Sequence, residues 1–480
     1  MTATALHRIA LAKPLLYFTL LWSLLFFTTA GFAQTTSQIF PQYPTISKNV
    51  QFWEKIYAVY SLRQAVIHDS EDLSKIYQVV TLADPNAPGG RQQNTIIQKQ
   101  ACERYSAMLS RLAIQPPSSA EEQRVAALFT GKNARQDMAL AANTVRSQSG
   151  QKERFLAGVI ASRPYIAEIR KILRSYDLPE ELAHLPHVES SFNFRAYSRI
   201  GAAGLWQFTR ETGKQYMTID HIIDERLDPI TATHAAAKYL AKSYRTLNNW
   251  PLAITSYNYG LGGTMRAVNE EGSYERIFTN YNKGYFKFAA RNFYPEFLAA
   301  KNVATYVENN YQGSHAVESR FYYLRLPGYV HIRDISRHFG LPVEVIEDIN
   351  PALRPPIISG DKLIPKGYTL RLPAGGKTNQ LVAALSSSLF KNDQKSSQYH
   401  LVRKGDTVNS IARLYKVSLK SLAKANNLEK ISSIRPGQSL LLPGKAEASI
   451  DNDSRTKTGS TRINVQRNLT TKETLPPKEV

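Results

Sequence analysis

The chain reads as a multidomain α+β protein: a mainly α-helical central domain, then two small βααβ modules. Three observations predict this. Residues 156–315 are dense in helical patterns with clear start signals. Residues 322–353 and 399–428 repeat one another. At 480 residues the chain has room for two to four domains, and a hydrophobic content of 43% is enough for a sizeable core.

The elements follow in order. "MTATALHRIALAKP" carries Arg8 and Lys13 and no acid, and Leu15 to Ala33 follow without a charge. Gly31 and Ala33 stand at the spacing a signal peptidase reads. The stretch has no polar face, so it is no buried core helix. It approaches the roughly 20 residues that span a bilayer. Residues 1–33 are therefore a signal peptide or an uncleaved anchor, and either way the rest is exported. The lone Cys102 builds no disulfide framework and suits a small core position.

Residues 34–155 read as mixed and mostly helical. "DLSKIYQVV" and "SSAEEQRVAALFTG" have helical spacing, and "LADPNAPGGRQQN" is a turn-rich break. In residues 156–315 three helix starts are marked. Asp228 and Pro229 open the first, Pro251 opens the second, which stops at Gly260, and Pro295 opens the third. Residues 320–375 and 398–444 are the two copies of the repeat. Ile335 aligns with Ile411, Arg337 with Arg413 and Asn350 with Asn426. Residues 376–397 read as a flexible linker, and 445–480 as a disordered basic tail.

The formal charge of +21 favours polyanions. No nucleic-acid motif accompanies it, which leaves anionic membrane or wall polymers as partners. The charge run also reads simply as a solvated surface.

The chemistry centres on "LPEELAHLPHVESSF". If one helix opens near Asp177 or Pro179, Leu178, Leu182, Leu185 and Glu189 share a face at 3.6 residues per turn. Two readings of Glu189 stand. Its carboxyl lies in or beside the core, where burial raises the pKa and makes a general acid. Otherwise it is an idle Glu at a fraying helix end. His184 and His187 lack a further ligand cluster and have Pro186 between them. A metal is not expected, and the histidines read as solvent-facing or partly packed. "SRIGAAGLWQF" (198–208) is a small-residue loop that lets a bulky ligand approach. Trp206 and Phe208 fit core or a sugar-stacking surface. Gln207 supplies a donor and an acceptor, and "SYNYG" adds Tyr257 and Asn258 at a helix end.

In this order and spacing, "ESSF", "GAAGLWQF" and "SYNYG" resemble the soluble-lytic-transglycosylase catalytic domain, whose fold is lysozyme-like. "YHLVRKGDTVNSIARLYKVS" with "IRPGQSLLLP" resembles the LysM peptidoglycan-binding module. "FWEKIYAVYS" and "GQKERF" look like the N-terminal part of the membrane-bound D type of lytic transglycosylase. The resemblance implies residence in the periplasm or cell envelope. It also implies cleavage of the β-1,4 bond between N-acetylmuramic acid and N-acetylglucosamine in peptidoglycan glycan strands, without a cofactor. Glu189 would act as acid and then as base, closing a 1,6-anhydro ring. Ser190, Gln207, Tyr257 and Asn258 would contact the sugar or position the acid, with Tyr257 the hydrogen-bonding partner near Glu189. Only one carboxylate stands out, whereas ordinary glycosidases use two. A hydrolytic muramidase of the same fold and a non-catalytic wall-binding protein are the alternatives. Two departures from the pattern, Trp206 where relatives have Met and "ITSYNYG" with Ser256 and Tyr259, bear on fine specificity.

In the second repeat the LysM resemblance makes Gly405, Asp406, Thr407, Ile434 and Arg435 the glycan-binding candidates. The first repeat carries "PGYV" in place of G-D-T, and reads equally as a glycan binder or as a structural remnant. The oligomeric state stays open.

Overall fold

Three short strands organise the N-terminal region in the computed structural model, which describes residues 39–310, 321–395, 399–402, 405–426, 428 and 434–443. The proposed export segment, Lys404 and the proposed basic tail lie outside the described residues. Two units are distinguished, Met1–Gln42 and Tyr43–Val480, and every element below belongs to the second.

Strand β1 (Gln64–Asp69) is central, pairing antiparallel with β2 (Ile76–Thr81) and β3 (Val145–Ser149). Ala65, Val66 and Ile67 are fully buried, as a strand covered on both faces requires. "DLSKIYQVV", expected to be helical, is instead a turn followed by β2. The β-branched and aromatic run of "IYQVV" fits a pleated surface, and β1 supplies the partner that periodicity cannot reveal. Helices α1 (Ser47–Ala58), α2 (Gly90–Leu112), α3 (Ala120–Ala126) and α4 (Ala134–Ala141) complete the region. Tyr77 stacks on Tyr105 of α2 within a core of Ile67, Leu109, Leu112, Val125 and Met138, with Cys102 packed against it. The α3 start is as expected, with Ser119 Oγ accepting the Glu122 N–H at 3.2 Å.

The central region runs through α5 (Lys152–Ser162), α6 (Ile166–Arg174), a 3₁₀ turn at Glu180–His184, α7 (Leu185–Ser190) and the short α8 (Arg210–Gly213). It continues through α9 (Pro229–Leu247), α10 (Trp250–Tyr259), α11 (Leu261–Glu271), α12 (Tyr274–Asn280) and α13 (Phe288–Asn310). Asp228 caps α9, accepting from Ile230 N and Thr231 N, and Pro229 is its first residue. Asn249 caps α10, which carries Pro251 in its first turn and ends at Gly260. The third expected start is wrong: Pro295 lies inside α13. An interior proline costs about 3 kcal/mol or more. Burial of Phe293, Tyr294, Phe297 and Leu298 around it is of the size needed to offset that.

Helix α13 is also the seat of α1. Asn49, Trp53 and Tyr57 recur every four residues along α1, and Asn292 and Glu296 do so along α13. Asn49 Nδ2 donates to Asn292 Oδ1 at 2.8 Å, and Trp53 Nε1 donates to the same oxygen at 3.3 Å. Matching four-residue rows on facing helices is the usual way two helices interdigitate. The first α-helix of the N-terminal region thus packs against the last long helix of the central one.

The first repeat is β4 (Phe321–Arg325), α14 (Ile332–Phe339), α15 (Val343–Ile349), the short α16 (Pro355–Ile358) and β5 (Thr369–Pro373). The second is β6 (Tyr399–Leu401), α18 (Val408–Tyr415), α19 (Leu419–Ala425) and β7 (Ser439–Leu441). Each pairs its two strands antiparallel. Between them, residues expected as a flexible linker form α17 (Gly376–Ala383) and a 3₁₀ turn at Ser387–Leu389. Leu381, Val382, Leu385, Leu389 and Phe390 pack on the core of the first repeat. Composition missed this because Leu381 to Leu385 is a short apolar run between polar stretches, and the core it packs on lies elsewhere in the chain.

Candidate active site

Leu178, Leu182 and Leu185 are buried, as the stripe predicts, and Glu189 is half-buried near the end of α7. The single helix expected there is two pieces. Proline suits the first turn of a helix, where N–H groups lack partners anyway, and fits poorly inside one. Accordingly α7 restarts at Leu185 with Pro186 in its first turn. The change brings the histidines inside. His184 and His187 are 2% and 1% exposed, and their rings stack 5.7 Å apart. Phe155 and Phe192 flank His187 at 5.5 and 5.2 Å. Burial pushes the His187 pKa down to about 3 and holds His184 well below its usual range. They are neutral core residues. Among the described residues no cluster of three His, Cys, Asp or Glu could hold a metal.

The backbone past Glu189 turns sharply. Ser191 and Phe192 have φ of 50° and 60°, in the left-handed region. Gly158 of α5 permits the approach: a Cβ there would stand 2.5 Å from the Ser191 carbonyl oxygen. Ser190, expected to touch sugar or position the acid, is 3% exposed. Its hydroxyl donates to Leu205 O at 2.9 Å and accepts from Asn193 N at 3.1 Å. It fastens α7 to the 198–208 loop, as a buried hydroxyl must satisfy its bonds internally.

That loop carries Gln207, half-buried with φ of 48°, its Nε2 donating to Gly204 O at 2.8 Å. Trp206 is fully buried, and its Nε1 donates to Thr233 Oγ1 at 2.9 Å. Phe208 is 4% exposed, so both aromatics are core. The half-buried Tyr257 donates its hydroxyl proton to Trp206 O at 2.9 Å. Burial, with the nearby Glu189 charge, holds its pKa well above the usual phenol range. It thus lies within electrostatic reach of Glu189, while its donated bond supports the loop. Asn258 is exposed at the end of α10. Ser256 is buried and bonded to Ala253 O, and Tyr259 turns toward Phe286 and Tyr281. Tyr259 instead lines an open pocket with Arg266, Asn269, Glu270, Tyr281, Lys283 and Gly284.

Two residues near the acid escaped the sequence. Tyr57 of α1 is 3% exposed, and its hydroxyl lies 3.5 Å from Glu296 Oε2. Burial, then Glu296, then Glu189 hold the Tyr57 pKa well above its usual range. A second, half-buried carboxylate therefore shares this neighbourhood. The only sequence signal was the four-residue spacing of Asn49, Trp53 and Tyr57, which says nothing of the helix they meet.

In the second repeat, the register places residues 405–407 and 434–437 at the same end of the β6–β7 pair. Val402 N donates to Gln438 O, and Gly437 N donates to Val402 O, each at 2.8 Å. Gly405, Thr407 and Arg435 are exposed there. Thr407 caps α18, accepting from Ser410 N at 3.0 Å. Asp406 is half-buried and lies 2.9 Å from His400 Nε2, so it shapes the loop. Ile434 packs on the core of the module.

Comparison with known proteins gives two family matches. Residues 167–279 match the transglycosylase SLT domain, and residues 400–443 match the LysM domain. The chain is homologous to membrane-bound lytic murein transglycosylase D of Escherichia coli K12. The two are 26% identical over 325 residues, which is 62% of this chain and 69% of that protein. Among solved structures, the 70 kDa soluble lytic transglycosylase of Escherichia coli aligns at 17% identity and TM-score 0.26, over 48% of this chain and 38% of that one. An inactive mutant of lytic transglycosylase Slt from Pseudomonas aeruginosa aligns at 18% and TM-score 0.26, over 33% and 26%.

Proposed function

We propose that this chain, with its SLT and LysM domains, is a peptidoglycan lytic transglycosylase of the cell envelope. The observation that carries the reading is the placement of Glu189. It stands half-buried at a helix end within the SLT match, in electrostatic reach of Tyr57 and Tyr257.

In this reading Glu189 gives its proton to the oxygen between N-acetylmuramic acid and N-acetylglucosamine as that bond breaks. The resulting carboxylate takes the proton of the C6 hydroxyl on the same muramic residue. That oxygen bonds C1 and closes the 1,6-anhydro ring, and no water is consumed. The nucleophile is tethered to the reacting carbon, which replaces a second catalytic carboxylate. Gln207 and the exposed Asn258 border the sugar, while Ser190 and Tyr257 hold the loop that presents them. Gly405, Thr407 and Arg435 of the second repeat meet glycan and keep the enzyme on an insoluble polymer, raising effective concentration. Asp406 and Ile434 shape that surface. Export to the periplasm by residues 1–33, as signal peptide or anchor, and attraction of basic surface to anionic wall or membrane belong to the same proposal.

Mass spectrometry of peptidoglycan digested by the full chain tests the reaction. Anhydro-ended muropeptides are expected, and reducing ends alone would overturn it. Glu189→Gln should abolish cleavage and leave sedimentation with peptidoglycan intact. Glu296 favours one second reading, a hydrolytic muramidase with two carboxyls. Under the first reading Glu296→Gln retains most activity. A loss equal to that of Glu189→Gln, together with reducing ends, would establish the second.

A further inference from the structure

The two repeats have the same frame, but the first has closed its loops. Val330 N donates to Ile364 O at 3.2 Å, and Ile364 N donates to Val330 O at 2.8 Å. These residues follow β4 and precede β5, where the second repeat carries its glycan-binding candidates. A second seam joins Tyr329 to Lys391, N to O in both directions, at 2.9 and 2.8 Å. Gly328 lies beneath it, since a Cβ there would meet Lys391 O at 2.9 Å. Among the described residues of the second repeat no such bridge joins the corresponding loops.

The first repeat is also bonded to the catalytic region. Ile222 and Ile223 sit in its core beside Leu353 and Ile357. Asp224 N donates to Ala352 O, and Arg354 N to Ile222 O, both at 2.9 Å. Arg354 Nη1 donates to the Tyr197 hydroxyl at 2.6 Å, and that hydroxyl donates to Asp224 Oδ2 at 3.3 Å. Arg371, 2% exposed, makes a buried ion pair with Asp228, the cap of α9.

These contacts converge on the Gln207 loop. Asp224 and Arg226 are 2% and 4% exposed and doubly bonded, Nε to Oδ1 at 2.9 Å and Nη2 to Oδ2 at 2.8 Å. Arg226 Nη1 then donates to Gly201 O at 2.7 Å and to Phe208 O at 3.1 Å. Those carbonyls stand on either side of Gln207, whose left-handed backbone is unfavourable for a residue with a Cβ. Such strain persists where the surroundings over-determine it. A planar guanidinium forked between a carboxylate and two carbonyls is a restraint of that kind.

We infer that the first repeat is a positioning element of the catalytic domain and no glycan reader. Arg354 and Arg371 hold Asp224 and Asp228, Asp224 holds Arg226, and Arg226 holds the loop that presents Gln207. The inference rests on the transglycosylase reading. Its test uses full-length Arg354→Ala, Arg354→Lys and Tyr197→Phe, assayed on a soluble glycan oligomer so that wall binding does not enter. Sedimentation with insoluble peptidoglycan is measured in parallel. Small displacements of positioning groups cost rate, so Arg354→Ala should lower kcat about tenfold with KM within about twofold. Arg354→Lys should recover part of the rate, and sedimentation should not change. Unchanged kcat in Arg354→Ala and Tyr197→Phe, or lost sedimentation with kcat intact, overturns the inference. If Arg354→Ala does not fold, Tyr197→Phe, which removes only the hydroxyl between Arg354 and Asp224, decides alone. Wild-type protein that forms no anhydro ends sinks the underlying reading, whereas active wild type with unaffected variants sinks this inference only.

Discussion

The two repeats share a frame and an internal lock and differ in the side chains that reach outward from it. Asn350 Nδ2 donates to Arg371 O and Asn350 Oδ1 accepts from Arg371 N, at 2.9 and 2.8 Å. Asn426 does the same with Leu441, at 2.8 and 2.6 Å. Each asparagine ends the second helix and ties it to the closing strand. Arg371 and Leu441 thus occupy the same position with opposite roles. The arginine reaches a buried aspartate of the catalytic region, while the leucine stays half-buried in its own module. The helix caps diverge too. Thr407 and Ser410 cap one another reciprocally in the second repeat, and His331 Nδ1 accepts from Arg333 N in the first. A few internal bonds therefore fix the module, and the side chains beyond them decide whether it braces or binds.

Acidification should act most on the N-terminal and central regions, the latter bonded to the first repeat. His68, His184 and His187 lie in the N-terminal and central regions, and burial lowers all three pKa values, to about 4 for His68 and about 3 for His187. Between those values and about 6.5 the unfolded chain binds more protons than the folded one. The stability these groups contribute is complete above pH 6.5 and lost as pH falls toward 3. The slope is about 1.4 kcal/mol per pH unit for each histidine. Denaturant unfolding of the full chain at pH 7, 6 and 5 should show the catalytic transition falling steeply. His187→Phe should flatten that fall, and an unaltered slope would show that His187 is not the group concerned.

Next in size is the matched pair of strand substitutions. Arg371→Ala leaves Asp228 buried without its partner and should cost about 3–5 kcal/mol. Leu441→Ala truncates a half-buried side chain and should cost about 1–2 kcal/mol. Chemical denaturation of the full chain measures both. Equal losses would erase the distinction drawn between the repeats.

The smallest effect is expected at Arg435. Arg435→Ala removes an exposed cation, so the unfolding midpoint should stay put while peptidoglycan affinity falls about two- to fivefold. Sedimentation at low and high salt checks it. Affinity unchanged at either salt would remove Arg435 from the binding surface.

Much of this was legible in the chain itself, where the signal is local. The Asp228–Pro229 and Pro251–Gly260 helix boundaries rest on side chains acting within a turn of their own backbone. The alignment of Asn350 with Asn426 held because each repeat carries its own lock. Glu189 stood out because an acid in an apolar stripe is anomalous wherever the chain folds. The misses share one cause. Pro295 inside α13, the strand at Ile76–Thr81 and the buried histidines each depend on what packs against them. The bond from the Ser190 hydroxyl to Leu205 O, fifteen residues on, likewise had no sign in the spacing.

The sequence by itself determined the capped helix boundaries, the two modules and the anomaly at Glu189, because helix caps, residue periodicity and a misplaced charge act over a few residues. Only the tertiary structure decided that Tyr57 and Glu296 stand near Glu189, that Arg226 restrains the Gln207 loop, and that one repeat is closed and bonded to the catalytic region. Those are meetings of groups dozens to hundreds of residues apart. A hydrogen bond or ion pair acts only over a few ångströms, so which groups it joins is set by how the whole chain packs.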